Sequence, residues 1–367
     1  MATGVRFATV ITLVIAPLAM ACTEPTERVD AVARRAESPL PDPRGYTAMV
    51  YDSQSREFVA LGGVTGGAPT GPPEVWVADQ HGRDWRRVGP MPTGHVVAAA
   101  YHAALDRIVV WSSTRPRPDG GGNLEPFLPA DTVSETWTYD VDHDHWERIA
   151  TAVSPPPGLF GTRMSYDAES RMVIMFGGFD VTTFTFHDET WAFDLDHRAW
   201  TAMSPAIHPT GRNFHGQAYH AAADRVLVIA GLDVTFEPTN HVWSYDYNTN
   251  TWIRLAAAGA PVRDYVSVAY VDDTERVVLH GGLLYGPDFE ELSQSDTWEY
   301  DLGHDRWRLI DTGGGPGEPG PRAFHAMASR TGSDQVLMFG GGVDHSTAFT
   351  NEVWRYEADD HAWERVR

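Results

Sequence analysis

The chain has 367 residues and a formal net charge of −22, from 50 acidic residues against 28 lysines and arginines. This balance argues against binding to nucleic acid, which needs a basic surface, and against docking of the folded surface on anionic lipid. Cys22 is the only cysteine. Disulfides therefore do not stabilise the folded body, which is long enough to bury a hydrophobic core of its own.

The first 21 residues predict a secretory signal peptide. Arg6 precedes an apolar stretch, residues 7–21, that is too short to span a bilayer. Residues 19–21 (Ala-Met-Ala) match a small-residue cleavage site, and residues 18–22 (Leu-Ala-Met-Ala-Cys) are similar to a bacterial lipobox. We therefore expect Cys22 to be lipidated, with a soluble secreted protein as the alternative.

Residues 22–42 follow this signal and are rich in proline and charge, without aromatic residues. Such a composition predicts a disordered tether, lipid-anchored at Cys22. We expect an exported protein, either a periplasmic or cell-surface lipoprotein or a secreted one, that contacts a membrane only through this N-terminal lipid. Residues 43–367 are expected to form the folded domain.

Two tryptophans nine positions apart recur six times along this domain and use 12 of the 13 tryptophans. The pairs are Trp76/Trp85, Trp137/Trp146, Trp191/Trp200, Trp243/Trp252, Trp298/Trp307 and Trp354/Trp363. The short spacing is constant while the spacing between pairs varies, which indicates a rigid local unit joined by loops of different length. A period of this size is typical of solenoids, arrays and propellers.

Each unit predicts four consecutive strands. A first strand is followed by a short apolar second strand that usually ends in glycines, as at Gly177-Gly178 and Gly340-Gly341, although one repeat has Ser112-Ser113 instead. The third strand carries the first tryptophan and ends in a Tyr-Asp or Phe-Asp turn, after which the second tryptophan begins the fourth strand. Because one such sheet cannot bury both faces alone, the pattern predicts an all-β, six-bladed β-propeller with four antiparallel strands per blade.

The glycine pair, the Tyr/Phe-Asp step and the spaced tryptophans resemble the kelch repeat, in the order that this family has. The resemblance covers residues 44–367 and implies a kelch-type β-propeller of six or seven blades, of which the repeat count favours six. We expect a monomer whose ring closes by side-chain packing between blades 1 and 6, without a swapped strand.

An arginine precedes the first strand in four of the six repeats, followed two positions later by an aromatic residue and, in two repeats, by a histidine. These residues are Arg44, Arg212, Arg263, Arg322, Tyr46, Phe214, Tyr265, Phe324, His215 and His325. The other two repeats have Gly94 and Leu159 at the arginine position, and Arg163 follows four residues after Leu159.

Because the first strand of a propeller blade is innermost, the four arginines are expected at one mouth of the central channel. Guanidinium groups there would bind an anionic ligand. The alternative is structural: the arginines bond carbonyls of a neighbouring blade or pair with the acidic residues that stand two positions before the first tryptophan. Those acids are Glu74, Glu135, Glu189, Asp296 and Glu352.

The loops after the second strands, at residues 115–129, 179–186, 283–292 and 343–349, carry phenylalanine, tyrosine and leucine. Aromatic side chains in variable loops on a rigid scaffold are typical of a binding surface. The favoured function is therefore non-catalytic recognition of a protein or a glycan at this loop face. The alternative is that these aromatic side chains pack on one another.

No catalytic residue, cofactor or metal is predicted. His187-Asp188 and Asp344-His345 would meet across the channel, but no ligand spacing supports a metal site. An alternative function is a mutarotase- or epimerase-like enzyme acting on an acidic sugar at the arginine ring. Galactose oxidase and the sialate mutarotase are distant kelch relatives; the first needs a propeller cysteine that is missing here, and no motif carries over from the second.

Overall fold

The structure is a computed structural model that describes residues 39–66, 72–94, 97–114, 133–180, 183–287, 290–343 and 348–367. The predicted signal peptide, Cys22 and most of the tether lie outside the described residues. The described residues form one compact unit. In the described ranges no helix is long and apolar enough to cross a membrane.

The described residues form six antiparallel sheets of four strands, each built from strands that follow one another in the chain. We number them blades 1–6. Blade 1 has the strands Ala48–Asp52, Glu57–Leu61, Glu74–Asp79 and Arg86–Pro90. Blade 2 has Val97–His102, Arg107–Thr114, Val133–Asp140 and His145–Ile149. Blade 3 has Arg163–Asp167, Met172–Phe176, Thr190–Asp194 and Ala199–Met203. Blade 4 has the strands Gly216–His220, Arg225–Ile229, Val242–Asp246 and Thr251–Arg254. Blade 5 has Ser267–Val271, Arg276–His280, Thr297–Asp301 and Arg306–Asp311. Blade 6 has Ala326–Ser329, Gln335–Phe339, Val353–Glu357 and Ala362–Arg365. The prediction of an all-β propeller with four antiparallel strands per blade is confirmed.

Short ribbons lie beyond one end of the blades, where the chain enters the first strand and leaves the second. They pair Arg44–Gly45 with Val64–Thr65, Leu159–Phe160 with Phe179–Asp180 and then Thr185–Phe186, Arg212–Asn213 with Leu232–Asp233, and Leu283–Tyr285 with Glu291–Ser293. We call this end the loop face. At the opposite end, the first turn of blade 4 contains a 3-10 helix, Ala221–Ala223.

The first strands contact one another in order around a ring, and the first strand of blade 1 contacts that of blade 6. Six hydrophobic clusters lie between the blades, each made from residues of two neighbouring sheets. In blade 3, for example, Trp191 and Trp200 pack with Val109 and Trp111 of blade 2. The clusters place both tryptophans of each pair against a neighbouring blade.

The glycines that follow the second strands lie where the next blade approaches closely. Gly281 has a φ of +62°, and a Cβ there would lie 2.3 Å from the carbonyl oxygen of Arg322. The N–H of Gly282 donates to that same oxygen at 2.9 Å. A side chain at Gly281 would therefore force this contact to shift, although Ala230, with a φ of 61°, occupies the equivalent position in blade 4.

Ring closure uses the same contact, without a swapped strand as predicted. The N–H of Gly341 in blade 6 donates to the carbonyl of Arg44 at 2.9 Å, and the N–H of Arg44 donates to the carbonyl of Thr350 at 3.2 Å. Side chains of blades 1 and 6 pack against each other as expected, and backbone hydrogen bonds join the two blades as well.

A hydrogen bond between blades depends on the residue just before the first tryptophan. Where that residue is threonine, its hydroxyl accepts from the second tryptophan of the next blade: Trp200 to Thr136 at 2.8 Å, Trp252 to Thr190 at 3.0 Å and Trp363 to Thr297 at 2.9 Å. Where it is valine (Val75, Val242 and Val353), the tryptophan has no such bond in the described residues. Trp146 and Trp307 keep an unpartnered indole nitrogen, and Trp85 donates to its own turn at the carbonyl of Gly82.

We predict opposite effects for two exchanges at this position. Thr136→Val should lower the free energy of unfolding by about 1–3 kcal/mol, because the buried indole N–H of Trp200 loses its acceptor. Val242→Thr should raise it by up to about 1.5 kcal/mol, because Trp307 gains one. Equilibrium urea unfolding measures both, and a Val242→Thr variant as destabilised as Thr136→Val would contradict the role of the hydroxyl.

Candidate functional site

The four predicted arginines lie together at the channel mouth on the loop face, but their side chains are buried. Their exposed fractions are 5% for Arg44, 0% for Arg212, 6% for Arg263 and 4% for Arg322. Three of them contact the acid two positions before the first tryptophan of their own blade, in the pairs Arg44–Glu74 (3.6 Å), Arg263–Asp296 (2.6 Å) and Arg322–Glu352 (2.8 Å). These are partners that the structural alternative named.

Arg212 shows what happens where that acid is missing, because blade 4 has His241 at the equivalent position. Its guanidinium donates to the carbonyl of Ala230 at 3.1 Å and to the hydroxyls of Thr239 at 3.3 Å and Thr210 at 3.0 Å. Burial without an acid in contact lowers the pKa of Arg212 to about 10. Arg212 therefore stays in place through hydrogen bonds alone.

These contacts favour the structural interpretation of the arginine ring. Arg44, Arg212 and Arg322 each also bond the carbonyl at the end of the second strand of their own blade. Their donors are thus directed at the protein rather than at the channel. Binding of an anion by this ring stays a prediction.

The aromatic residues two positions after the arginines meet over the channel. Phe214 stacks on Tyr265 with ring centroids 3.8 Å apart, Tyr265 lies 4.6 Å from Phe324, and Phe324 lies 4.9 Å from Tyr46. Phe160 and Phe349 contact the same group. We call these six residues the aromatic plug.

All four residues of the repeating aromatic position have a left-handed backbone, with φ of 58° at Tyr46, 50° at Phe214, 48° at Tyr265 and 62° at Phe324. Each such conformation costs roughly 1–3 kcal/mol for a residue with a side chain. The equivalent residue of blade 3 is Gly161, with a φ of 72°. The ring geometry therefore imposes the turn, and the mutual packing of the aromatic rings offsets its cost.

The two predicted histidines lie directly behind the plug residues and are buried. Neither ring nitrogen of His215 or His325 has a partner among the described residues. Burial lowers the pKa of both imidazoles, that of His325 to about 3, so both are neutral at physiological pH. Within the described ranges no group of three or more His, Cys, Asp or Glu side chains is placed to hold a metal ion.

The other predicted loop pair is only partly described. His187 bonds Glu189 at 2.9 Å, and Asp188 lies 3.5 Å from His208. Asp344 and His345 lie outside the described residues, as does the loop at residues 115–129. The expected meeting of the two His-Asp pairs across the channel therefore stays a prediction.

The sequence gives no indication of one acidic residue that is buried at the channel mouth. Asp264 stands between Arg263 and Tyr265, where blades 1, 4 and 6 have glycine, asparagine and alanine. Its carboxyl is fully buried, and desolvation raises its pKa to about 7 even though Tyr285 donates to it at 3.1 Å. A carboxyl that is half-protonated near neutral pH is uncommon outside functional sites, but here it lies behind the plug.

An exposed group of phenylalanines lies at the edge of the loop face, on blades 3 and 4. Phe184 is 73% exposed and Phe236 is 57% exposed. Behind them Phe179 and Phe186 lie 4.6 Å apart, and Phe186 lies 5.0 Å from Phe236. We call these four residues the phenylalanine patch. Here the aromatic side chains of the loops do pack on one another, yet two of them still face solvent.

Comparison with known proteins places these features in a family. A family model for the kelch-repeats domain of KLHDC2, KLHL20 and DRC7 matches residues 120–341. Multiple epidermal growth factor-like domains protein 8 of the mouse is 26% identical over 259 residues, which cover 66% of this chain and 9% of that protein. The putative adagio-like protein 2 of rice is 26% identical over 269 residues, 66% of this chain and 37% of that protein. The chain thus aligns with well under half the length of these curated relatives.

We predict that two arginines bonded to the same carboxylate differ in their effect on stability. Glu352 contacts Arg322, whose side chain is 5% exposed, and Arg365, whose side chain is 57% exposed. Arg322→Met should cost about 3–5 kcal/mol because it leaves the acid without its buried partner, whereas Arg365→Met should cost less than about 1 kcal/mol. Urea unfolding of both variants tests this, and equal losses would show that the ring arginine has no special structural role.

Proposed function

Because the chain belongs to the kelch-repeat family, we propose that it is a propeller interaction module that binds a protein partner through the phenylalanine patch of its loop face. The observation that carries this proposal is the exposure of Phe184 and Phe236, 73% and 57%. Exposed apolar patches on soluble proteins commonly mark interaction sites. Burial of each phenylalanine against a partner removes about 150–250 Å² of apolar surface from water.

The backbone of the patch supports a binding role over accidental exposure. Phe184 and Phe236 have left-handed φ values of 55° and 60°, so the loops present these rings at a cost in conformational energy. The inner pair, Phe179 and Phe186, belongs to the ribbon of blade 3 and holds them from below. Rigid aromatic side chains of this kind act as anchors at interfaces because they lose little entropy on binding.

The chemistry of the patch defines the partner. Asp188 and Glu237, both exposed, lie on the two loops that carry the patch. An apolar or aromatic side chain flanked by lysine or arginine would complement these rings and charges. A glycan stacked on the same rings is the alternative ligand. An enzyme acting on an acidic sugar at the arginine ring has less support, since those guanidiniums already bond protein groups.

The test compares capture by immobilised wild type, Phe184→Ser/Phe236→Ser and the control Ile253→Ser, an apolar residue 58% exposed on an outer strand of blade 4. Wild type and control should capture the same protein from the exported fraction of the source organism. The double variant should bind it at least about 30-fold more weakly, as expected for two anchor residues, with an unchanged melting temperature.

Two treatments of the exported fraction identify the ligand. Protease treatment before capture should abolish binding, whereas glycosidase treatment should leave it intact. Loss of binding only after glycosidase treatment would identify a glycan instead. Equal capture by the double variant and the control would reject the phenylalanine patch as the binding surface.

We also propose that the protein is exported and anchored by lipid at Cys22, on the basis of residues 1–22 of the sequence. Wild-type protein should fractionate with membranes and incorporate a fatty-acid probe, and Cys22→Ser should lose both properties. Wild-type protein that stays soluble with an unmodified N-terminus at Cys22 or Thr23 would instead indicate a secreted protein.

A further inference from the structure

A small cavity lies inside the ring, between the aromatic plug and the middle of the first strands. Its volume is about 100 Å³, and Tyr46, Phe214, Tyr265 and Phe324 line it on the side of the loop face. On the other side, three methionines of the first strands, Met49, Met164 and Met327, line both this cavity and a wider cavity of about 310 Å³. Residues of all six inner strands, or of the turns just before them, line the small cavity.

Arg163, the first residue of the inner strand of blade 3, lines this cavity. Its guanidinium donates to the carbonyl of Thr162 at 3.2 Å. No acidic side chain lies within 4.0 Å of it in the described part of the chain, and no described residue that lines the cavity is an aspartate or glutamate. Burial lowers its pKa to about 10, so the guanidinium is charged at neutral pH.

Two further donors belong to residues that line the cavity. The hydroxyl of Thr47 is buried without a partner among the described residues. Burial lowers the pKa of His325 to about 3, so its imidazole is neutral and carries one N–H. Both residues line the cavity. The amide nitrogen of Gln217, in contrast, is already bonded to Ser165 and Ile174.

A charge withdrawn from water without a counter-ion is costly, and a counter-ion offsets part of that cost. We propose that this cavity is a binding site for a small monovalent anion of about the size of chloride, held by Arg163 with Thr47 and His325 as further donors. A volume of about 100 Å³ exceeds what one water needs but lies below the roughly 300 Å³ of pockets for larger organic ligands. The site is separate from the ring of four arginines, each of which has protein partners.

The anion also makes the stability of the propeller depend on which salt is present. It neutralises a charge where the first strands of all six blades converge, and ligand binding to the folded state raises the melting temperature. We expect wild-type protein to melt about 2 °C or more higher in sodium chloride than in sodium gluconate at the same ionic strength, because gluconate is too large for the cavity.

The deciding experiment repeats this comparison for Arg163→Gln and for Arg171→Gln, an arginine of the same blade whose side chain is 48% exposed and pairs with Asp196 at 2.9 Å. Arg163→Gln should lose the difference between the two salts, and Arg171→Gln should keep it. Equal melting temperatures of wild type in the two salts would overturn the proposal. So would a chloride effect that persists in Arg163→Gln.

A second measurement uses only the wild-type protein and therefore does not depend on the folding of the variant. Crystals grown in sodium bromide should give an anomalous peak within about 4 Å of the Arg163 guanidinium, the distance range of a direct ion pair. Bromide peaks confined to the protein surface would overturn the proposal.

Discussion

Each of blades 1, 4, 5 and 6 is held to the blade before it through the carbonyl oxygen of the arginine that precedes its inner strand. That oxygen accepts the N–H of a glycine leaving the previous blade, as from Gly178 to Arg212 at 2.8 Å and from Gly231 to Arg263 at 2.9 Å. In three cases the side chain of the same arginine bonds the end of the second strand in its own blade. One residue therefore joins two blades, and the left-handed turn that follows places an aromatic ring over the channel.

The blades could be predicted from sequence because their signals are local. A strand, a glycine pair, a Tyr/Phe-Asp turn and two tryptophans all fall within one repeat. Such a local pattern is enough to predict which strands form and which side chains are buried. The contacts between blades are less visible. The threonine that accepts from Trp200 stands 64 positions earlier in the chain, so its role becomes apparent only when one blade is seen against the next.

The arginines show a different limit of prediction from sequence. Their repetition predicts where they lie, but a repeat pattern alone does not tell whether a guanidinium faces solvent or an acid. The acids before the first tryptophans resolve this for Arg44, Arg263 and Arg322. Arg163 stands four positions away from the repeating arginine position, so the acid that serves the others does not serve it. The departure from the pattern, rather than the pattern, marks the arginine that has no acidic partner among the described residues. Asp264 lies beyond sequence reasoning, because only burial changes the chemistry of its carboxyl.

Closure of the ring has a consequence for how the chain folds. The amide of Asn351 donates to the carbonyl of Pro41, 310 positions away in the chain. During synthesis, the side of blade 1 that carries Phe58 and Trp85 emerges early but is covered only when Leu337 and Phe339 of blade 6 arrive. Contacts this distant form late and leave apolar surface open to aggregation in the meantime. The interface between blades 1 and 6 that completes the propeller is therefore where the nascent chain exposes its apolar surface for longest. Molecular chaperones would act there first.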